Sequence, residues 1–132
     1  MQVAYLALSL SHRAALSDCI HTLRQILHTR DIHLQVFVDE HHFHPEQERE
    51  MMQTAFAAIR SADLFIAEVS HKAIGVGVET GYAAALGKPI LYLYRQGSEH
   101  STTIGGTAST TICYNHPHEL EAAMAPFLQQ LG

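Results

Sequence analysis

Residues 62–94 read ADLFIAEVSHKAIGVGVETGYAAALGKPILYLY, and the spacing of their apolar and glycine positions decides the fold. Leu64 to Val69 is a short apolar run led by Asp63, and Ile90 to Tyr94 is a second one introduced by Gly87, Lys88 and Pro89. Runs of that length between turn residues read as buried strands. Between them GVGVETGYAAALG predicts a glycine turn feeding a helix, with Ala83, Ala84, Ala85 and Leu86 as strong helix formers and Gly87 as the stop. The unit is βαβ with parallel strands, and Glu79 is expected in the first helical turn. In open α/β sheets, ligands bind outside the carboxyl ends of the strands near helix N-termini, where the dipole favours negative charge. Glu79 is therefore expected to be ionised and nucleophilic, although spacing alone equally supports an acid that merely complements the dipole.

The same alternation extends in both directions. VAYLALS near the start reads as a first strand, and Arg13 to Thr29 carries Leu16, Ile20, Leu23, Ile26 and Leu27 at helical spacing. His33 to Val38 is a second strand. A helix is predicted over Pro45 to Ser61, with Pro45 and the acids Glu46, Glu48 and Glu50 in its early turns and Met51, Met52, Ala55, Phe56 and Ile59 on its buried face. Thr110 to Tyr114 is a last strand and His118 to Leu131 a closing amphipathic helix. The prediction is one doubly wound α/β domain over residues 1–132, flavodoxin-like or Rossmann-like, with a five-stranded, mainly parallel sheet flanked by helices.

Composition narrows the function. With 132 residues, 47% hydrophobic and 16% charged, the chain suits one domain with a true core. A formal net charge of -5 and the absence of a Lys or Arg cluster argue against a nucleic-acid polymer as partner. No apolar run approaches the roughly 18 residues of a membrane span, so no membrane association is expected. The N-terminus lacks a basic leader region, and Cys19 and Cys113 have no metal-binding or C-x-x-C spacing; cytoplasmic residence with free thiols follows as an expectation. Gly75, Gly77 and Gly81 do not fit a dinucleotide fingerprint, which requires G-x-G-x-x-G directly after the first strand. No cofactor is expected.

The combination of YLALS, SADLFIAEVS, GVGVETGYAAALGKPI and the later EHSTT resembles the nucleoside 2-deoxyribosyltransferase superfamily, and within it the branch of 2′-deoxynucleoside 5′-phosphate N-hydrolases. The similarity covers nearly the whole chain. It implies a small-molecule deoxynucleoside or deoxynucleotide substrate and an enzyme that breaks the N-glycosidic bond. By this resemblance Glu79 matches the acid that attacks the anomeric carbon and forms a covalent glycosyl intermediate, Asp63 matches a second acid that protonates or holds the base, and Tyr5 matches a tyrosine that orients the nucleophile. From the residues alone, Asp63 reads as a turn residue leading its strand and Tyr5 as a core tyrosine. Cleavage of such a bond creates an oxocarbenium-like centre that an opposed carboxylate stabilises or traps while a second group protonates the departing base. Water as acceptor makes a hydrolase, a second base makes a transferase, and a silent binding module on the same fold is the reading from another class.

Ser9, at the end of the first strand, matches a serine in the loop that cradles the sugar phosphate. Leu8 stands where the resemblance has glycine, and Leu10, Ser11, His12 and Arg13 replace the paired glycines that follow. Ser9, Ser11 and Arg13 are the expected phosphate ligands in their place. Gly75 and Gly77 join the substrate-binding set, Ser70 and His71 are expected at the same sheet edge, and Ser101 matches a serine that reaches phosphate across a dimer interface, with Thr102 and Thr103 beside it. A homodimer or higher homo-oligomer with a shared active site follows. Of the 11 histidines, His41, His42 and His44 crowd DEHHFHPE, whose spacing matches no closed metal geometry; the segment reads as a solvated loop or a lid carrying Phe43 over the base.

Overall fold

The computed structural model describes residues 1–131. Five strands, β1 (Gln2–Ala7), β2 (Ile32–Val36), β3 (Leu64–Glu68), β4 (Ile90–Arg95) and β5 (Thr110–Tyr114), form one sheet in the order β2-β1-β3-β4-β5. Every pairing is parallel. This is the flavodoxin-like order, and its switch point, where connections leave in opposite directions, lies between β1 and β3. The doubly wound α/β domain expected from the sequence is thus present.

Six α-helices flank the sheet: α1 (Ser17–His28), α2 (Phe37–Glu40), α3 (Glu48–Ser61), α4 (Ile74–Ala85), α5 (Thr102–Gly105) and α6 (Leu120–Gln130). Alternation along the strands divides the core. Leu6, Ile66 and Leu93 pack with Leu23 of α1 and Phe127 of α6 on one face. Tyr5, Phe65 and Tyr92 pack with Ile59 of α3 and Val76 of α4 on the other. All five residues of β3 are buried, as a central parallel strand covered on both faces requires. No helix among the described residues is long and apolar enough to cross a membrane.

Several element boundaries differ from the sequence reading, and three matter for the site. The helix predicted from Arg13 begins as an α-helix only at Ser17, after two short 3-10 turns at Leu10–His12 and Ala14–Leu16. The second strand stops at Val36, and Phe37 and Val38 belong to α2. Most consequentially, α4 starts at Ile74, so Gly75 and Gly77 lie inside it and Glu79 sits in its second turn. Each helical glycine costs about 1 kcal/mol in propensity, but the buried stripe Val76, Thr80 and Ala83 holds the helix on the sheet. The Thr80 hydroxyl also donates to the Val76 carbonyl at 2.7 Å.

The helix ends where predicted. Gly87 takes φ 73°, its N–H donates to Ala84 O at 3.0 Å, and Lys88 N–H donates to Ala83 O at 3.1 Å. Lys88 Nζ then donates to the carbonyls of Arg60 and Ala62 at 2.9 and 2.6 Å, tying the end of α3 to the turn before β4. Both crossover helices are in this way clamped over the same sheet face.

Candidate active site

Glu79 and Tyr5 meet across the gap between α4 and β1. The Tyr5 hydroxyl donates to Glu79 Oε2 at 2.7 Å. Tyr5 is buried, its ring stacked on Phe65 with centroids 5.6 Å apart and tilted against Phe37 at 6.1 Å. A ring held on two sides cannot swing, so the phenol aims the carboxylate. Glu79 is half-buried, and burial pushes its carboxyl above the ordinary range while the Tyr5 hydrogen bond pulls it back. Glu79 lies one turn further into the helix than the first turn expected, and there desolvation is the larger influence on its carboxyl. Burial first, and then the neighbouring Glu79 charge, push the Tyr5 phenol upward, so Tyr5 remains a donor.

The carboxylate opens into a cavity of about 240 Å³ lined by Leu8, Leu10, Phe37, Met51, Met52 and Ala55, with Gly75 at its edge. Those residues come from the carboxyl ends of β1 and β2 and from α3 and α4, at the switch point where this sheet order places ligands. Among the described residues Glu79 is the one ionisable side chain that lines it. Phe37 went unnoticed in the sequence, reading as one more strand residue. His41 packs tilted against Phe37 at 4.6 Å and Phe43 stacks on Phe37 at 6.2 Å, which brings the expected lid segment against the cavity wall. Among the described residues, no three His, Cys, Asp or Glu side chains converge to hold a metal ion.

Asp63 does not join this group. It sits at the amino end of β3, its carboxylate accepting the Val3 N–H at 2.8 Å and its own N–H donating to Val3 O at 2.8 Å. The parallel register sets Leu64 beside Ala4, which leaves Asp63 on the sheet edge away from Leu8. The assignment of Asp63 as the acid beside Glu79 is corrected on that ground. Asp63→Asn is expected to leave turnover within about twofold of wild type and to cost no more than about 1 kcal/mol of stability, checked by initial rates and urea melts.

The expected phosphate ligands are engaged elsewhere. Ser9, only 3% exposed, shares a 2.8 Å hydrogen bond with His12 Nδ1, and Ser11 Oγ lies 3.3 Å from Ser9 Oγ. Arg13 forms a bidentate pair with Asp39 at 2.9 and 2.8 Å, which holds the Asp39 carboxyl below its usual range. N–H groups of His12 and Arg13 close the local turns onto Ser9 O and Leu10 O, so the segment does not present them as a cradle. The His12 and His71 rings stack at 3.8 Å, and the buried His71 Nδ1 has no hydrogen-bond partner.

Ser70 turns away from the cavity. Its N–H and hydroxyl donate to the two oxygens of Glu68 at 2.7 and 2.8 Å. Ser101 caps α5, accepting the Ile104 N–H at 3.2 Å, and with Gly77 it borders a separate cavity of about 330 Å³ on the outer side of α4. Thr102 is exposed at the start of α5. Of the residues singled out by sequence, the structure joins Glu79 and Gly75 at one cavity, with Tyr5 hydrogen-bonded to Glu79, and places Gly77 and Ser101 at another.

The family model described as nucleoside 2-deoxyribosyltransferase matches residues 4–124. The chain belongs to the nucleoside 2-deoxyribosyltransferase family. Within it the chain is 46% identical over 65 residues to a protein of Syntrophotalea carbinolica provisionally named a 2′-deoxynucleoside 5′-phosphate N-hydrolase, a match covering 47% of this chain and 46% of that protein. It is 50% identical over 54 residues to the mouse 5-hydroxymethyl-dUMP N-hydrolase, covering 39% of this chain and 31% of the relative. The matched stretches thus span less than half of these relatives' lengths. Among solved structures, a CMP N-glycosidase of Clostridium botulinum superimposes with TM-score 0.70 at 22% identity, covering 94% of this chain and 99% of that one. A 2-deoxyribosyltransferase of Bacillus psychrosaccharolyticus gives TM-score 0.69 at 16% identity, with 90% of each chain covered. At those identities the two structures establish the deoxyribosyltransferase-like fold.

The Tyr5 hydrogen bond lowers the Glu79 carboxyl against the larger upward push of burial. Tyr5→Phe removes a charge-assisted hydrogen bond, typically about 1.5–3 kcal/mol. The Glu79 carboxyl then rises further. The acid limb of the pH–rate profile is expected to move to higher pH by about one unit, with kcat/KM down about 10- to 100-fold at neutral pH. An unshifted limb would deny Tyr5 this role.

Proposed function

We propose that this protein cleaves the N-glycosidic bond of 2′-deoxynucleosides or their 5′-monophosphates, with Glu79 as nucleophile. Its carboxylate attacks the anomeric carbon, the base departs, and water hydrolyses the deoxyribosyl ester. The observation that carries this reading is the Tyr5–Glu79 pair, a carboxylate oriented at 2.7 Å by a buried phenol and opening into a small apolar cavity. Holding the attacking oxygen in one geometry lowers the entropic part of the barrier, and an apolar cavity wall favours charge leaving the carboxylate as the ester forms. The relatives named as N-hydrolases support the same reading.

Ile74 is 88% exposed and Val78 47% exposed on α4, close to Gly77 and Ser101. This apolar face supports a homodimer in which one copy's Ser101 and Thr102 segment completes its partner's site. The unpaired Cys19 and Cys113 support a reducing, cytoplasmic setting.

The test is chromatographic detection of free base from a panel of deoxynucleosides and their 5′-monophosphates, with and without a second base as acceptor. Release that is lost in Glu79→Ala supports the proposal. Base exchange in place of hydrolysis would make the protein a transferase, and tight binding without release would make it a binding module.

A further inference from the structure

Two short segments wall the Glu79 cavity beside β1 and β2. The loop after β1 contributes Leu8 and Leu10, and the segment after β2 contributes Phe37 and Val38. Leu10 begins a single 3-10 turn, and α2 is four residues long, its first carbonyl, Phe37 O, accepting the His41 N–H at 3.1 Å. One turn of helix does not persist on backbone bonds alone, so side chains must fix where these walls stand. Phe37 and Val38 pack on opposite faces of the sheet, which anchors the start of α2.

The far end of α2 is held by charge. Asp39 directly follows Phe37 and Val38, and Arg13 lies three residues after Leu10. Arg13 Nε donates to Asp39 Oδ1 at 2.9 Å and Nη2 to Oδ2 at 2.8 Å, while Nη1 donates to the Ser17 hydroxyl at 3.1 Å. Every guanidinium nitrogen is thus committed within the fold. Arg24 of α1 stands 3.9 Å from the same carboxylate. A lone, exposed ion pair contributes little to stability. This one is a planar two-bond fork in a network of three charges, with the Arg13 and Asp39 side chains only 28% and 32% exposed.

Resting on the function proposed above, we infer that the Arg13–Asp39 pair is a clasp between the two segments, which sets the shape of the cavity and hence its affinity for substrate. Neither residue lines the cavity, so both are positioning residues. Phe37 carries the effect inward, because its ring tilts against Tyr5 and supports His41 and Phe43. The Tyr5–Glu79 bond survives loss of the clasp, since Phe65 also stacks on Tyr5. Binding therefore weakens while the chemical step is kept.

The experiment compares wild type with Arg13→Gln, Asp39→Asn and the double variant. Amide hydrogen exchange on the free proteins, read by mass spectrometry, is expected to be about tenfold faster over residues 37–44 in each single variant and unchanged over residues 74–85. KM for a deoxynucleoside and for its 5′-monophosphate is expected to rise about five- to tenfold alike, with kcat within about twofold and the acid limb of the pH–rate profile unmoved. The double variant should match the single ones, because either substitution alone opens the clasp. Unchanged exchange in Asp39→Asn would overturn the inference. So would a KM that falls for the monophosphate in Asp39→Asn and rises for it alone in Arg13→Gln, which would make Arg13 a phosphate ligand. A wild type that released no base from any substrate would overturn the proposed function instead, and the exchange rates would still decide whether the clasp holds residues 37–44.

Discussion

Glu79→Gln is expected to reduce base release by at least about 10³-fold, because the covalent route disappears with the carboxylate, while the protein remains folded. Glutamine keeps an acceptor oxygen for the Tyr5 hydroxyl, whose bond to Glu79 is 2.7 Å in the native site, so the local packing survives. Its effect on stability has a definite sign. Burial raises the Glu79 carboxyl above its unfolded value, so the folded state binds that proton more tightly than the unfolded chain does. The resulting stabilisation is fully present below the unfolded pKa, near pH 4, and is lost as pH rises through the folded pKa. At neutral pH the native protein therefore carries a charge it would be more stable without. Glu79→Gln should melt at the same or a higher temperature than wild type at pH 7, and the advantage should vanish towards about pH 4. Thermal melts at the two pH values, beside the chromatographic assay, check both halves. A variant that kept a tenth or more of the activity would remove Glu79 from the chemistry.

Glu68→Ala should do the reverse, acting first on stability. Glu68 is 1% exposed, at the carboxyl end of β3. It accepts the Ser70 N–H and hydroxyl and the Tyr114 hydroxyl. Around it Arg95 Nε donates to the Tyr114 oxygen at 3.4 Å, and the Ser70 hydroxyl accepts the Arg95 N–H at 2.9 Å. Truncation removes the acceptor of three donors at once, the half-buried Ser70 N–H and hydroxyl and the buried Tyr114 hydroxyl. Each stranded group costs about 1–3 kcal/mol, and partial relaxation should bring the total to roughly 3 kcal/mol. Urea denaturation is the measurement, with an unchanged m-value expected; a loss under about 1 kcal/mol would mean that water replaces the carboxylate without difficulty. Glu68→Gln, which preserves acceptance at one oxygen, should lie between wild type and Glu68→Ala. Because Ser70 leads into the turn before α4, a weakened network would also loosen the mount of Glu79.

These two glutamates show where sequence reading succeeds and where it stops. Glu79 is conspicuous because it is the one carboxylate in the largely apolar and glycine-rich crossover between β3 and β4, and its partnership with Tyr5, 74 positions away, was accessible through family resemblance. Glu68 lies one residue from the end of an apolar run and reads as its polar boundary. Only the period of two along β3, with Leu64 and Ile66 on the same face, turns it into the buried core beside Tyr114.

By itself the sequence determined that this is a doubly wound, mainly parallel α/β protein of the deoxyribosyltransferase kind. Short apolar runs separated by helical periods and ended by Gly87 and Pro89 leave little else for the chain to do. Tertiary structure alone decided how far α4 extends, which acids share a site and which cations are free. Packing of Val76, Thr80 and Ala83 overrode the low helical propensity of three glycines and moved Glu79 into the second turn. Strand register carried Asp63 to the far edge of the sheet. Asp39, 26 residues from Arg13 in sequence, neutralises the guanidinium that sequence reading reserved for phosphate. In each case the deciding energy came from residues remote in sequence, which local propensity cannot register.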